Sequence, residues 1–189
     1  MNGFSRAATF RNVSGPALKA LYKIQEQGSD LVPVSGPLIL LIEGDGLLLT
    51  PILKVMTPRP VHVIVGGALG RVMAGHSIGT GGDLAYMPPG FAATQAALLR
   101  LKEGDAVGIM ADFSALGYLL AMTGAILQPV VITRAGGKVA TDPPRPRAKV
   151  GILFEAPFHI SPNGDPCALA TLQQVSEQVR QTRADARAK

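Results

Sequence analysis

Residues 36–51 read GPLILLIEGDGLLLTP: a Gly-Pro pair, five apolar residues in a row, a Glu-Gly-Asp-Gly turn and a second apolar run. A short run that is apolar at every position suits a strand buried on both faces, as in a parallel sheet covered by helices. Gly44-Asp45-Gly46 interrupts the run, and Gly-Asp-Gly is turn chemistry. From Leu47 to Met56 the pattern is helical, until Pro58 and Pro60 stop it. Strand, tight turn and helix in 20 residues is the repeating unit of a layered α/β protein.

The same alternation continues downstream. Val61–Val65 (VHVIV) is rich in β-branched residues and reads as a second strand. Ala68–Ala74 reads as a short helix, and Thr94–Lys102 as a clearer one closed by Gly104. Ala106–Met110 is the third expected strand, Ala115–Gly124 a helix, Pro129–Thr133 the fourth strand and Lys149–Phe154 the fifth. Pro166–Arg183 reads as a terminal helix, with Asp165 placed to cap it and Pro166 at its first position. Asp142–Arg147 (DPPRPR) is an exposed connection, and no internal repeat is present. The pattern predicts one layered α/β domain with a largely parallel sheet flanked by helices. It divides into a basic amphipathic segment (1–23), the α/β body (24–165) and a basic C-terminal helix of the same domain (166–189).

Composition narrows the setting. The chain has 189 residues, the size of one domain. It is 47% hydrophobic and only 16% charged, where soluble proteins average about 25% charged. The apolar excess belongs to deep core or to a surface that meets lipid or protein. The longest apolar stretch, Leu116–Leu127, stops at Gln128 and Pro129, short of the roughly 20 residues that span a bilayer. Arg6 and Arg11 break up any signal-peptide core. The single cysteine, Cys167, excludes an internal disulfide and a cysteine metal cluster. Cytoplasmic residence, with peripheral attachment to a membrane, is the expectation.

The net charge of +5 gathers at the chain ends. Arg6, Arg11, Lys19 and Lys23 meet no acidic residue, and Phe4, Phe10, Val13, Leu18 and Leu21 alternate with them. That suits an anionic membrane surface. A solvated helix face is the plainer reading of such a run. Nucleic acid is a poor fit, because aromatic residues make up only 5% of the chain, too few to build a stacking platform among the basic ones.

Five segments in order resemble the PlsC-like glycerolipid (lysophosphatidate) acyltransferases. Ala17–Pro37 is similar to that family's lead-in helix and its approach to the first strand. Gly36–Leu49 resembles the strand and NHxSxxD turn, and Leu98–Asp112 the segment ending in F-P-E-G. Gly117–Ile132 (GYLLAMTGAILQPVVI) and Lys149–Pro157 (KVGILFEAP) resemble the closing helix and strands. The likeness covers residues 17–160 and implies a glycerolipid-acyltransferase-like fold. It implies chemistry in which a His takes the acceptor hydroxyl's proton and an Asp five residues later orients it.

On that pattern Gly44 stands in place of the His and Leu49 in place of the Asp, so neither catalytic group is present. Glu43 and Asp45 remain at the turn, but a carboxylate, ordinarily with a pKa near 4, is a poor base at neutral pH unless desolvated. The family's phosphate-gripping Arg should fall near residue 80, within GHSIGTGGD, which has no basic residue. GTGG lacks the Lys-Ser/Thr ending of a phosphate-binding loop. F-P-E-G is replaced by Met110-Ala111-Asp112-Phe113.

The resemblance therefore implies an acyltransferase-like pseudoenzyme that binds a lipid or acyl chain, or a protein partner, near a membrane. The alternatives are an active acyltransferase using acyl-CoA or acyl carrier protein with non-standard groups, and a structural subunit of a membrane complex. The ligand-binding candidates are Asp45, His76 and Asp112, with no metal and no cofactor. His62, inside VHVIV, reads as a satisfied sheet residue and His159 as a surface residue of the tail. His76 is the histidine placed to reach the cleft.

Overall fold

The computed structural model describes residues 15–64, 90–110, 115–160, 164–165 and 168–187. A helix covering 15–21 (α1) leads into β1 (Lys23–Gln27) and a single 3-10 turn, Ser29–Leu31. Then come β2 (Leu38–Glu43), α2 (Leu49–Met56), β3 (Val61–Ile64), α3 (Phe91–Lys102), β4 (Ala106–Met110) and α4 (Leu116–Thr123). The chain continues through β5 (Ile126–Thr133), β6 (Lys149–Phe154), the two-residue β7 (Phe158–His159) and α5 (Leu169–Arg187). The strands form one sheet in the order β1-β6-β5-β2-β4-β3, with β7 added to β5.

β2 is the centre of the sheet and shows why an all-apolar strand is needed. Leu38, Leu40 and Ile42 face one layer, with Leu49, Ile52 and Leu53 of α2 and Phe154 of β6. Ile39 and Leu41 face the other, with Ala97 and Leu101 of α3, Leu119 and Leu120 of α4, and Val175 of α5. All five strand residues are at most 1% exposed, and each contributes about 1.5–3 kcal/mol of burial. The resulting core is two-sided.

Pairing is parallel for β2 with β4 and β5, β3 with β4, and β1 with β6, and antiparallel for β5 with β6 and β7. Because β6 runs against β5, the starts of β6 and β1 lie at the same sheet edge as the end of β5. Thr133 is level with Gly151, and Lys23 with Lys149. That edge, the carboxyl end of the central strands, is also where the Glu43–Gly46 turn sits.

Several expectations need correction. The sheet begins at Lys23, not Leu38: KIQEQ is a mostly exposed edge strand without an apolar run to mark it. α2 starts two residues later than the pattern suggests, and β5 three residues earlier. His159 is exposed, as expected, but belongs to a strand, β7, where it pairs with Ile126. The terminal helix starts at Leu169, so Asp165 is not its cap. Its backbone carbonyl instead accepts the Ala168 N–H at 3.0 Å in a preceding turn. Val65, the expected 68–74 helix and Pro166 lie outside the described residues.

Candidate functional site at the carboxyl edge of the sheet

β2 delivers the Glu43–Gly46 turn to the sheet edge, where it meets the segment after β5. Gly44 has φ 132° and Gly46 φ 119°, values an L side chain rarely adopts. The neighbours explain why both are glycine. A Cβ on Gly44 would stand 2.1 Å from the Ile132 carbonyl oxygen, and one on Gly46 2.1 Å from the Gly136 nitrogen. The Leu48 N–H donates to the Ala135 carbonyl at 3.0 Å, and the Leu49 N–H to the Gly46 carbonyl at 3.1 Å. Two turns are thus locked backbone against backbone.

At this edge Leu49 is fully buried among the apolar residues of α2 and β2. Asp45 is exposed, and Glu43 is half-buried at the end of β2. Arg134, exposed and left-handed at φ 59°, follows β5 directly beside Ala135. Of the three expected ligand-binding residues, Asp45 is in this turn, whereas His76 and Asp112 lie outside the described residues. Among the expected membrane-facing cations, Lys19 and Lys23 are exposed, and Arg6 and Arg11 lie outside the described residues. Among the described residues no group of three or more His, Cys, Asp or Glu side chains is placed to hold a metal. No described helix is long and apolar enough to cross a membrane.

A second polar cluster, which the sequence did not suggest, occupies the opposite edge. His62 Nε2 lies 3.3 Å from Asp105 Oδ2, and Arg100 lies 3.7 Å from the same carboxylate oxygen and 3.1 Å from Glu103. Burial first, then the Arg100 charge, holds His62 below its ordinary value, against the opposing pull of Asp105. Lys54, at the end of α2, is pushed down to about 8 by burial. His62 Nε2 faces Asp105, Nδ1 is buried, and the side chain as a whole is 18% exposed. His62 thus sits in the sheet as its sequence setting suggests.

Arg59 completes this edge. It donates to the carbonyls of Gly36 at 2.9 Å, Pro33 at 3.3 Å and Gly104 at 2.5 Å. One guanidinium therefore joins the approaches to β2, β3 and β4. The flanking prolines of TPRP mark the turn, but nothing local marks its three distant partners.

No family model matches the sequence, and no curated protein does. Among solved structures the chain is similar to the 1-acyl-sn-glycerophosphate (LPA) acyltransferase PlsC from Thermotoga maritima. The TM-score is 0.60 at 15% identity, over 97% of this chain and 80% of that one. At that identity the likeness shows a shared fold, the α/β acyltransferase-like architecture, and no more.

Proposed function

We propose that this chain is an acyltransferase-fold protein without transferase chemistry, which binds a lipid or acyl chain, or a protein partner, close to a membrane. The observation that carries this reading is at Gly44. A general base must project a side chain into the cleft, and Gly44 is the position where the resemblance puts that base. Its backbone is held against Ile132 so closely that no Cβ fits without a shift. The Asp position is filled by Leu49, wholly within the core. Of the two carboxylates flanking Gly44, Glu43 is half-buried at the end of β2 and Asp45 is exposed, the latter without the apolar enclosure that adapts a carboxyl group to work as a base near neutral pH.

An apolar ligand or partner is supported by the same edge. The start of α3 lies there, and its Phe91 is 81% exposed. Native mass spectrometry of the purified chain tests the proposal, and the expected result is a co-purifying lipid or acyl species. Acyl transfer to glycerol-3-phosphate or lysophosphatidate should stay at background. Turnover from acyl-CoA or acyl carrier protein that disappears in Asp45→Asn would make the chain an active transferase with a non-standard group. A bare protein with no turnover would leave the partner or structural-subunit role.

A further inference from the structure

The loops around the candidate site carry a strong charge imbalance. Lys19 and Lys23 come from α1 and the start of β1, and Arg134, Lys138, Arg145, Arg147 and Lys149 from the β5–β6 connection and the start of β6. All seven are exposed. The carboxylates in these loops and in the neighbouring turn are Glu43, Asp45 and Asp142. The opposite edge is balanced. There Arg100 pairs with Glu103 and Asp105, and Arg59 and Lys102 are accompanied by Glu26, Asp30 and Glu155.

Three features set this rim apart from an ordinary solvated surface. The first is like-charge crowding. Lys23 and Lys149 are level on adjacent strands, the Lys23 N–H donates to the Ala148 carbonyl at 2.9 Å, and the Arg147 N–H donates to the Leu21 carbonyl at 2.6 Å. Adjacent strands are about 4.8 Å apart, so these cations repel. None of Lys19, Lys23, Arg145, Arg147 or Lys149 forms an ion pair among the described residues.

The second feature is strain. Arg134 at φ 59° and Arg147 at φ 64° are the described non-glycine residues with positive φ, and both lie on this rim. Such conformations persist in bulky residues where the surroundings impose them, and they concentrate at functional sites. The third is apolar contact. Leu21 is 53% and Val139 57% exposed, each within two residues of a rim lysine. Apolar side chains set among unpaired cations fit the boundary between lipid headgroups and acyl chains.

We propose that this rim is a docking surface for an anionic bilayer, which presses the carboxyl edge of the sheet, and the Glu43–Gly46 turn with it, against the lipid. This rests on the membrane-proximal reading above and adds the face and the orientation. The bilayer is favoured over nucleic acid because the rim segments offer no exposed aromatic ring for stacking: Tyr22 packs against the core. An acidic protein would satisfy the cations but would give no acyl region for Leu21 and Val139.

The test uses the full chain with phosphatidylcholine vesicles, with and without phosphatidylglycerol. Each cation near an anionic surface is worth about five-fold in partitioning, so the triple variant Lys23→Gln/Arg147→Asn/Lys149→Gln should bind anionic vesicles about 100-fold more weakly. Asn is chosen at 147 because it tolerates the left-handed conformation, so the variant should melt no lower than the parent. Lys102→Gln, on the opposite edge, should bind within two-fold of the parent. In a Cys167→Ser background, a fluorophore on Leu21→Cys should be quenched by brominated lipid and one on Leu99→Cys should not.

Equal binding by the triple variant, equal binding to neutral vesicles, or quenching at Leu99 in place of Leu21 would overturn the proposal. A rim that captures an acidic protein while ignoring vesicles would overturn it in favour of the protein partner. Lipid co-purification without vesicle binding would sink the docking surface and leave the ligand reading standing. Vesicle binding without any co-purified lipid would do the reverse.

Discussion

The backbone of Gly44 rests against that of Ile132: a Cβ on Gly44 would come within 2.1 Å of the Ile132 carbonyl oxygen, at a φ of 132°. Strain of this kind costs about 1–3 kcal/mol per residue before any clash is counted. Gly44→Ala should therefore lower the unfolding free energy by about 2–4 kcal/mol, read by urea denaturation. The double variant Gly44→His/Leu49→Asp, which places at these positions the pair the resemblance expects, should not transfer acyl groups above background. Its carboxylate would enter an apolar core, and its imidazole would demand that the turn move. Measurable turnover in that variant would show that the turn adapts to a side chain at 44 and that the fold supports the chemistry once those side chains are supplied.

Leu38–Ile42 and Ala106–Met110 were legible as strands because burial on both faces forces a continuous apolar run. The helix after Gly46 was legible because the prolines at 58 and 60 end it. β1 was not: Lys23–Gln27 has one covered face at most, and its place is set by pairing with β6, far away in sequence. The candidate site was half legible. That Gly44 and Leu49 stand where the resemblance expects a His and an Asp could be read from residue identities, but the close approach of Gly44 to the end of β5 and of Gly46 to the segment after it depends on contacts that no local pattern encodes. The His62–Asp105 pair and the Arg59 clamp escaped for the same reason.

Arg59 should be a stability determinant. Hydrogen bonds to charged groups contribute about 1.5–3 kcal/mol each when well enclosed, and Arg59 makes three while half-buried. Arg59→Ala should cost about 2–4 kcal/mol in total. Arg59→Lys should recover less than half of that, since a single ammonium lacks the planar fork that reaches three carbonyls. Thermal melts of the two variants side by side decide it, and a fully rescued Lys variant would mean that charge and not geometry matters here.

Gln128 is wholly buried in β5. Its amide nitrogen donates to the Glu155 carbonyl at 3.0 Å, while Oε1 finds no partner among the described residues. An unsatisfied buried acceptor costs about 1–3 kcal/mol, so removing the acceptor offsets much of the lost hydrogen bond. Gln128→Met should be neutral to within about 1 kcal/mol. Gln128→Glu should be destabilised by about 3 kcal/mol or more at neutral pH and should recover in acid as the buried carboxyl group takes up a proton. A severe loss in the Met variant would show that the hydrogen bond to Glu155 outweighs the orphaned oxygen.

Lys54 gives a pH signature with a definite sign. Burial lowers its folded-state value to about 8 from 10.5, so the folded state releases its proton more readily than the unfolded chain. Between about pH 8 and 10.5 the unfolded state binds more protons, and stability from this group rises with pH across that window. The contribution is fully present above 10.5 and is lost as pH falls through about 8, leaving the folded protein to carry a partly buried ammonium at neutral pH. At about 1.4 kcal/mol per pKa unit the whole swing is on the order of 3 kcal/mol. Lys54→Met, which fills the same space without the charge, should thus raise stability at pH 7 by about 1–3 kcal/mol. The gap between variant and parent should close by pH 10.5. Denaturation curves of both proteins at pH 7, 9 and 10.5 cancel the titration of the shared groups. A gap that stays constant across the three, or a variant less stable than the parent at pH 7, would show that the ammonium's contacts outweigh the cost of its burial.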